Sequence, residues 1–301
     1  MRFRAILNRH GGTMRTTDLD AFSAGMRETL EAAGHSLEVE LVEGKELVAA
    51  LEAATADPSI EAVIAGGGDG TISAAASCLM DSDKVLAVLP AGTMNLFARS
   101  LGIPLDLTKA IDAFATGEVK LVDVATANGK PFVHQYSVGL HAKMVKLREK
   151  MDFGSRLGKI RASARAAFDT VLNPPSMTID LDMSGTTLTA RTSGIGVTNN
   201  LFGEGHLPYA DDPSGGVLGI YVARTRRRRE VLWFMLNILA GRWERNPNVE
   251  IHQSGAVTMH FSRIHARHRC VIDGELNKLE NDVKIEIRPR SLRVLVPASV
   301  S

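Results

Sequence analysis

The sequence predicts an α/β domain with a parallel sheet, followed by an antiparallel β-sandwich domain. Three observations predict it. Apolar strand-like runs alternate with helical segments up to about residue 125, and several of those runs end in turns of glycine and small residues. Beyond that point short segments alternate apolar and polar residues between turn signals. This change of pattern sets the domains at 1–125 and 126–287, with 288–301 able to return to the first.

The first domain reads as strand Phe3–Leu7, helix near Thr17–Ala33, strand Leu37–Leu41 and helix Lys45–Thr55. Strand Ala62–Ala65, helix Ile72–Met80, strand Val85–Leu89 and a helix from about Asn95 to Ser100 follow. Strands alternating with helices make a parallel sheet, whose ligands sit at the carboxyl ends of the strands. The second domain takes its strands from SMTIDLDM, TLTARTSGIGVTNN, GVLGIYVA, AVTMHF, RCVIDGE and DVKIEIRP. Helical insertions are expected over Met144–Leu172 and Arg229–Gly241, and SLRVLVPASV suits a last strand of either domain.

Bulk properties exclude several classes. The 301 residues carry 35 Lys and Arg against 34 Asp and Glu, so a formal charge of +1 gives no support to nucleic-acid binding by bulk electrostatics. The two cysteines, Cys78 and Cys270, lack CxxC spacing and read as core residues in a reducing compartment. MRFRAILNRH reads as a first strand, not a secretion signal, and no apolar run reaches the ~18 residues of a membrane span. His265 and His268 have no partner pair at zinc spacing, and neither a G-x-S-x-G elbow nor a Walker P-loop is present.

The chemistry concentrates in four stretches. In IAGGGDGTIS, a strand enters a turn where Gly66, Gly67, Gly68 and Gly70 can take left-handed conformations and let a ligand reach the main chain. Their N–H groups and the next helix N-terminus make a phosphate cradle, and the lone carboxylate there, Asp69, points to phosphoryl chemistry rather than simple phosphate binding. LNRHGGT offers a second such loop with Asn8, Gly11, Gly12 and Thr13. AVLPAGTMN offers a third, in which Thr93 is a turn hydroxyl and Asn95 a helix cap. VIDGEL, taken alone, is a β-hairpin turning at Asp273-Gly274.

GGGDGT at 66–71, LPAGTMNLFARSLGIP at 89–104 and VIDGE at 271–275, in that order, resemble the diacylglycerol kinase catalytic-domain family, especially its soluble bacterial lipid kinases. Sphingosine kinases and, more distantly, NAD kinases share the GGDG element. The resemblance implies an ATP-dependent lipid phosphotransferase with an NAD kinase-like α/β nucleotide-binding domain, a β-sandwich lipid-substrate domain and an active site in the cleft between them. It implies that Asn8, Gly12, Gly67, Gly68, Gly70, Thr71, Thr93 and Asn95 face the nucleotide. It further implies that Asp69 acts with Mg²⁺ or the acceptor hydroxyl, that Asp273 is the general base and that Glu275 is its companion carboxylate. A cytoplasmic enzyme, peripheral at the inner membrane face and open to homodimerisation, goes with that family.

The chain also departs from the family pattern. Leu96 stands where relatives commonly have Asp, and Gly215-Gly216-Val217-Leu218 replaces Asp-Gly-x-Leu, leaving Asp212 just upstream as the candidate for a structural Mg²⁺. His141 stands where an Asp is common, close to where acceptor specificity is set. Two basic segments are candidate membrane surfaces: KMVKLREKMDFGSRLGKIRASARAA, and the run Arg226–Arg229 ahead of Trp233 and Phe234, which otherwise reads as a charged start to a core helix.

Overall fold

The computed structural model describes residues 1–149, 165, 168–183, 185–225, 227–243, 246–262 and 268–298, and divides into two compact units. The first comprises Met1–Val124, Asp212–Ser214 and Arg288–Ser301; the second comprises Ala125–Asp211 and Gly215–Ile287.

The first unit contains β1 (Arg2–Asn8), α1 (Leu19–Ala32), β2 (Ser36–Val42), α2 (Leu47–Ala56), β3 (Ala62–Gly67), α3 (Asp69–Leu79), β4 (Val85–Pro90), α4 (Leu96–Ser100), α5 (Leu107–Ala115) and most of β5 (Glu118–Ala127). Strands β2, β1, β3 and β4 lie side by side in parallel, with Phe3 opposite Ala62 and Val63 opposite Leu86. All residues of β3 and β4 are buried, as expected of central parallel strands covered on both faces. This order brings the ends of β1, β3 and β4 together, and with them the loops after Asn8, Gly67 and Pro90.

The second unit contains β6 (Lys130–Phe132), β7 (Gln135–Gly139), β8 (Met177–Met183), β9 (Thr186–Thr192), β10 (Gly194–Asn199), β11 (Leu218–Ala223), β12 (Val249–Ser254), β13 (Ala256–His260), β14 (Arg269–Ile272), β15 (Glu275–Lys278) and the first residues of β16 (Asp282–Val296). One antiparallel sheet runs β12-β11-β10-β7-β14-β15, and the other aligns β16, β13, β8 and β9. Ile195, Val197, Ile220 and Val222 of the first sheet share one core with Ile179, Leu181, Met259 and Ile285 of the second, so the two faces form a sandwich.

The structure changes several expectations. Helix α3 starts three residues before Ile72, so Asp69, Gly70 and Thr71 belong to its first turn. Helix α5 was not expected at all. The closing segment joins the first unit, where Arg293 pairs in parallel with Val85. The first insertion is helical over Leu140–Glu149, four residues earlier than expected, and most of 150–167 lies outside the described residues, as do Arg226 and His265. The second insertion is the helix Arg228–Leu239, which buries Val231 but leaves Trp233 in solvent, contrary to a core helix.

Candidate functional site

The three small-residue loops of the first unit are locked together by backbone. Thr13 N–H donates to the Ala91 carbonyl at 2.8 Å, and Ala91 N–H donates to the Gly67 carbonyl at 2.9 Å. The Asn8 side chain donates to Thr71 Oγ1 at 3.3 Å, tying the end of β1 to α3. Gly12 is left-handed at φ +48°, and a Cβ there would lie 1.9 Å from the Ala91 carbonyl oxygen. Gly66, Gly67, Gly68 and Gly70 do not adopt left-handed conformations, so their expected role changes from conformation to space. A Cβ on Gly67 would meet the Thr71 side chain at 2.4 Å, and one on Gly92 would meet the Gly68 Cα at 2.9 Å.

What remains is a concave run of main chain at the start of α3. The N–H groups of Asp69 and Gly70 are the first of the helix and have no acceptor within it. Such donors, at the positive end of a helix dipole, suit a phosphate. Thr71 is buried beneath them and Thr93 is exposed on the neighbouring loop.

Asp69 has a structural task that the sequence did not disclose. Its Oδ2 accepts the Asn95 N–H at 3.1 Å and its Oδ1 accepts the Leu96 N–H at 2.8 Å, so this carboxylate caps α4 from the first turn of α3. Asn95 therefore does not cap its own helix, as had been expected. It is left-handed, and its side chain closes the 92–95 turn by accepting from Gly92 N–H at 2.8 Å and donating back to the Gly92 carbonyl at 3.0 Å.

A carboxylate has about four lone-pair sites, so Asp69, accepting two N–H groups, keeps capacity for about two further contacts. That donor set fits a Mg²⁺ brought by a nucleotide and held chiefly by phosphate oxygens. It does not fit a protein cage, because among the described residues no three His, Cys, Asp or Glu side chains converge. The expected second Mg²⁺ at Asp212 has no donor set for the same reason. Asp212 instead accepts from the Ser214 N–H at 2.9 Å and hydroxyl at 2.8 Å, an Asx turn that shapes its own loop.

In the second unit, Asp273 and Gly274 are both left-handed, at φ +46° and +88°, and make the tight turn between β14 and β15. The Asp273 carboxylate is buried and accepts three backbone N–H groups: Val133 at 2.9 Å, His134 at 2.9 Å and Gln135 at 3.0 Å. Hairpin turn and candidate carboxylate are thus one residue. Glu275, two residues on, is exposed.

His141 faces the same neighbourhood, its Nδ1 lying 2.7 Å from Ser137 Oγ and 3.2 Å from Gln135 Nε2. Sequence reading missed His134, which stacks on Phe202 with ring centroids 5.0 Å apart. Burial, with the nearby His141, pushes the His134 imidazole down to about 3. The Val133–Gln135 segment that holds Asp273 was also missed; it lies 138 to 140 residues away and has no local signature. Gly92, by contrast, had a visible signal in its Ala-Gly-Thr turn.

A small-residue cradle at parallel strand ends and a carboxylate turn on an antiparallel sandwich are where the glycine-rich and Asp-Gly motifs fall in the fold. Residues 2–127 match the diacylglycerol kinase catalytic domain, and residues 135–296 match the YegS C-terminal NAD kinase beta sandwich-like domain. The chain belongs to this diacylglycerol and lipid kinase family. An uncharacterised Synechocystis protein, sll0036, is 26% identical over 250 residues, covering 79% of this chain and 55% of that protein. A Bacillus subtilis diacylglycerol kinase is 42% identical over 89 residues, 29% of each chain. The chain thus spans about half the length of the first of these relatives and less of the second. A crystal structure of a diacylglycerol kinase from Bacillus anthracis superposes with TM-score 0.74 at 18% identity, covering 100% of this chain and 98% of that one, which shows the shared fold.

Proposed function

We propose that the chain transfers the γ-phosphoryl group of ATP to a hydroxyl of a lipid such as diacylglycerol. The observation that carries this reading is the cradle of Gly67, Gly68 and Gly70 at the N-terminus of α3, in a chain of lipid kinase descent. The Asp69 and Gly70 N–H groups hold phosphate oxygens, and the glycines let those oxygens come within hydrogen-bond reach. Asn8, Gly12, Thr71, Thr93 and Asn95 shape the surrounding loops. Asp69 would hold a Mg²⁺ brought with the nucleotide, and that ion would neutralise phosphate charge.

On the acceptor side, Asp273 is fixed by three N–H groups and takes the proton of the lipid hydroxyl as that oxygen attacks phosphorus and ADP leaves. Glu275 adds negative charge nearby. His141, presented by Ser137 and Gln135, contacts the acceptor headgroup.

The test is transfer of labelled γ-phosphate with Mg²⁺ to a panel of lipid alcohols in mixed micelles, with NAD as the soluble control. Labelled lipid is expected, and Asp273→Asn should lower its rate about a hundredfold or more. Label in NAD alone would make the chain a soluble-substrate kinase. ATP binding with no labelled product would make it a binding protein.

A further inference from the structure

The helix Arg228–Leu239 presents the wrong face to solvent. Helical periodicity places Arg229, Leu232, Trp233, Leu236 and Ala240 on one side, opposite buried Val231. On that outer side Leu232 is 49%, Trp233 58% and Leu236 49% exposed. An ordinary surface helix carries charge there. The only acid of the helix, Glu230, is off this face and turns back to accept the Arg227 N–H at 3.0 Å. Arg227, Arg228 and Arg229 are all exposed at its start.

We propose that this face docks on an anionic lipid bilayer surface, a proposal that rests on the lipid kinase reading for its purpose but not for its chemistry. Arginines over anionic headgroups, a tryptophan at the headgroup level and leucines below it are what an interfacial helix requires. A second copy of the chain is the weaker occupant: three side chains fall far short of the ~800 Å² per partner of a stable interface, and the arginines would repel their symmetry mates.

The fold also gives the docking face a route to the acceptor carboxylate. The helix leads through Gly241, which packs on His206, to buried Trp243. Trp243 meets Phe202 edge-on at 6.3 Å, Phe202 stacks on His134, and His134 N–H donates to Asp273. Docking would therefore hold the acceptor turn in register with the lipid surface.

The chain has two tryptophans, and Trp243 is buried, so a change in emission on binding reports Trp233. Full-length protein without ATP is mixed with phosphatidylcholine vesicles, with or without about a third phosphatidylglycerol. The expected result is a blue shift and quenching by brominated lipid on the anionic vesicles only. Leu232→Ser with Leu236→Ser, and separately Arg228→Glu with Arg229→Glu, should each weaken partitioning about tenfold or more. Both pairs should leave turnover of a dispersed short-chain lipid unchanged.

Partitioning unaffected by either pair, or vesicle binding without quenching of Trp233, would overturn the proposal. So would a dimer in sedimentation that the leucine pair converts to monomer, since the face would then belong to a second copy. Failure of phosphoryl transfer with partitioning intact would remove the kinase reading and leave the docking face standing.

Discussion

Asp69 and Asp273 are each held by main-chain N–H groups, and this separates what their substitutions test. Asp69→Ala leaves the Asn95 and Leu96 N–H groups without an acceptor, which should cost about 2–3 kcal/mol, while Asp69→Asn keeps one oxygen and should cost about 1 kcal/mol. Urea denaturation followed by circular dichroism checks the order; an unshifted midpoint in the alanine variant would show that the cap contributes nothing. A loss of transfer in Asp69→Asn far beyond its loss of folded fraction would then mark a chemical role. Gly12→Ala is different in kind. Its Cβ would overlap the Ala91 carbonyl at 1.9 Å in a left-handed backbone, so the β1 loop must move away from the β4 loop. ATP affinity measured by calorimetry should fall about tenfold or more, and unchanged affinity would remove this loop from the site. The sequence named these residues through their motifs. It could not say that Asp69 caps a helix 26 residues away, because side-chain partners across loops have no local pattern.

At the level of elements, legibility followed periodicity. Strands β1, β3 and β4 were readable as short β-branched apolar runs ending in turns, and all three are present with ends shifted by a residue or two. Helix α5 escaped, although Leu107, Ala110, Ile111 and Phe114 recur at helical spacing and three of them are buried. Its signal was obscured by the preceding Gly-Ile-Pro, which read as loop. The start of α3 was misplaced because Gly68 and Gly70 look like turn residues, whereas only Gly68 is extended, as the N-cap, and Gly70 already lies in the first turn of the helix. Helix α5 is fixed by a cap: Asp106 accepts the Lys109 N–H at 3.0 Å. Asp106→Ala should therefore lower stability by about 1 kcal/mol. Thermal melting gives the measure, and no change would mean that the packing of Ile111 and Phe114 alone sets the helix start.

Across the whole chain the architecture was more legible than the site, since alternation and turn chemistry are local whereas the sandwich core joins residues far apart, such as Val138 and Ile285. The coupling that no local pattern could reveal is acid sensitivity of the second unit. His134 is neutral in the fold, its value depressed from 6.5 to about 3 by burial first and by His141 second. Between those values the unfolded chain binds a proton that the folded chain does not, so stability rises with pH across the window and is fully present above about 6.5. Lowering the pH to 5 should cost roughly 2 kcal/mol. Both tryptophans lie in the second unit, so their fluorescence during urea denaturation reads that unit, while circular dichroism reads both. The acid loss should appear in the fluorescence transition and be shallower in His134→Phe, which keeps a ring on Phe202 but cannot titrate. Equal slopes in parent and variant would place the acid sensitivity elsewhere and leave His134 a packing residue whose protonation the fold tolerates.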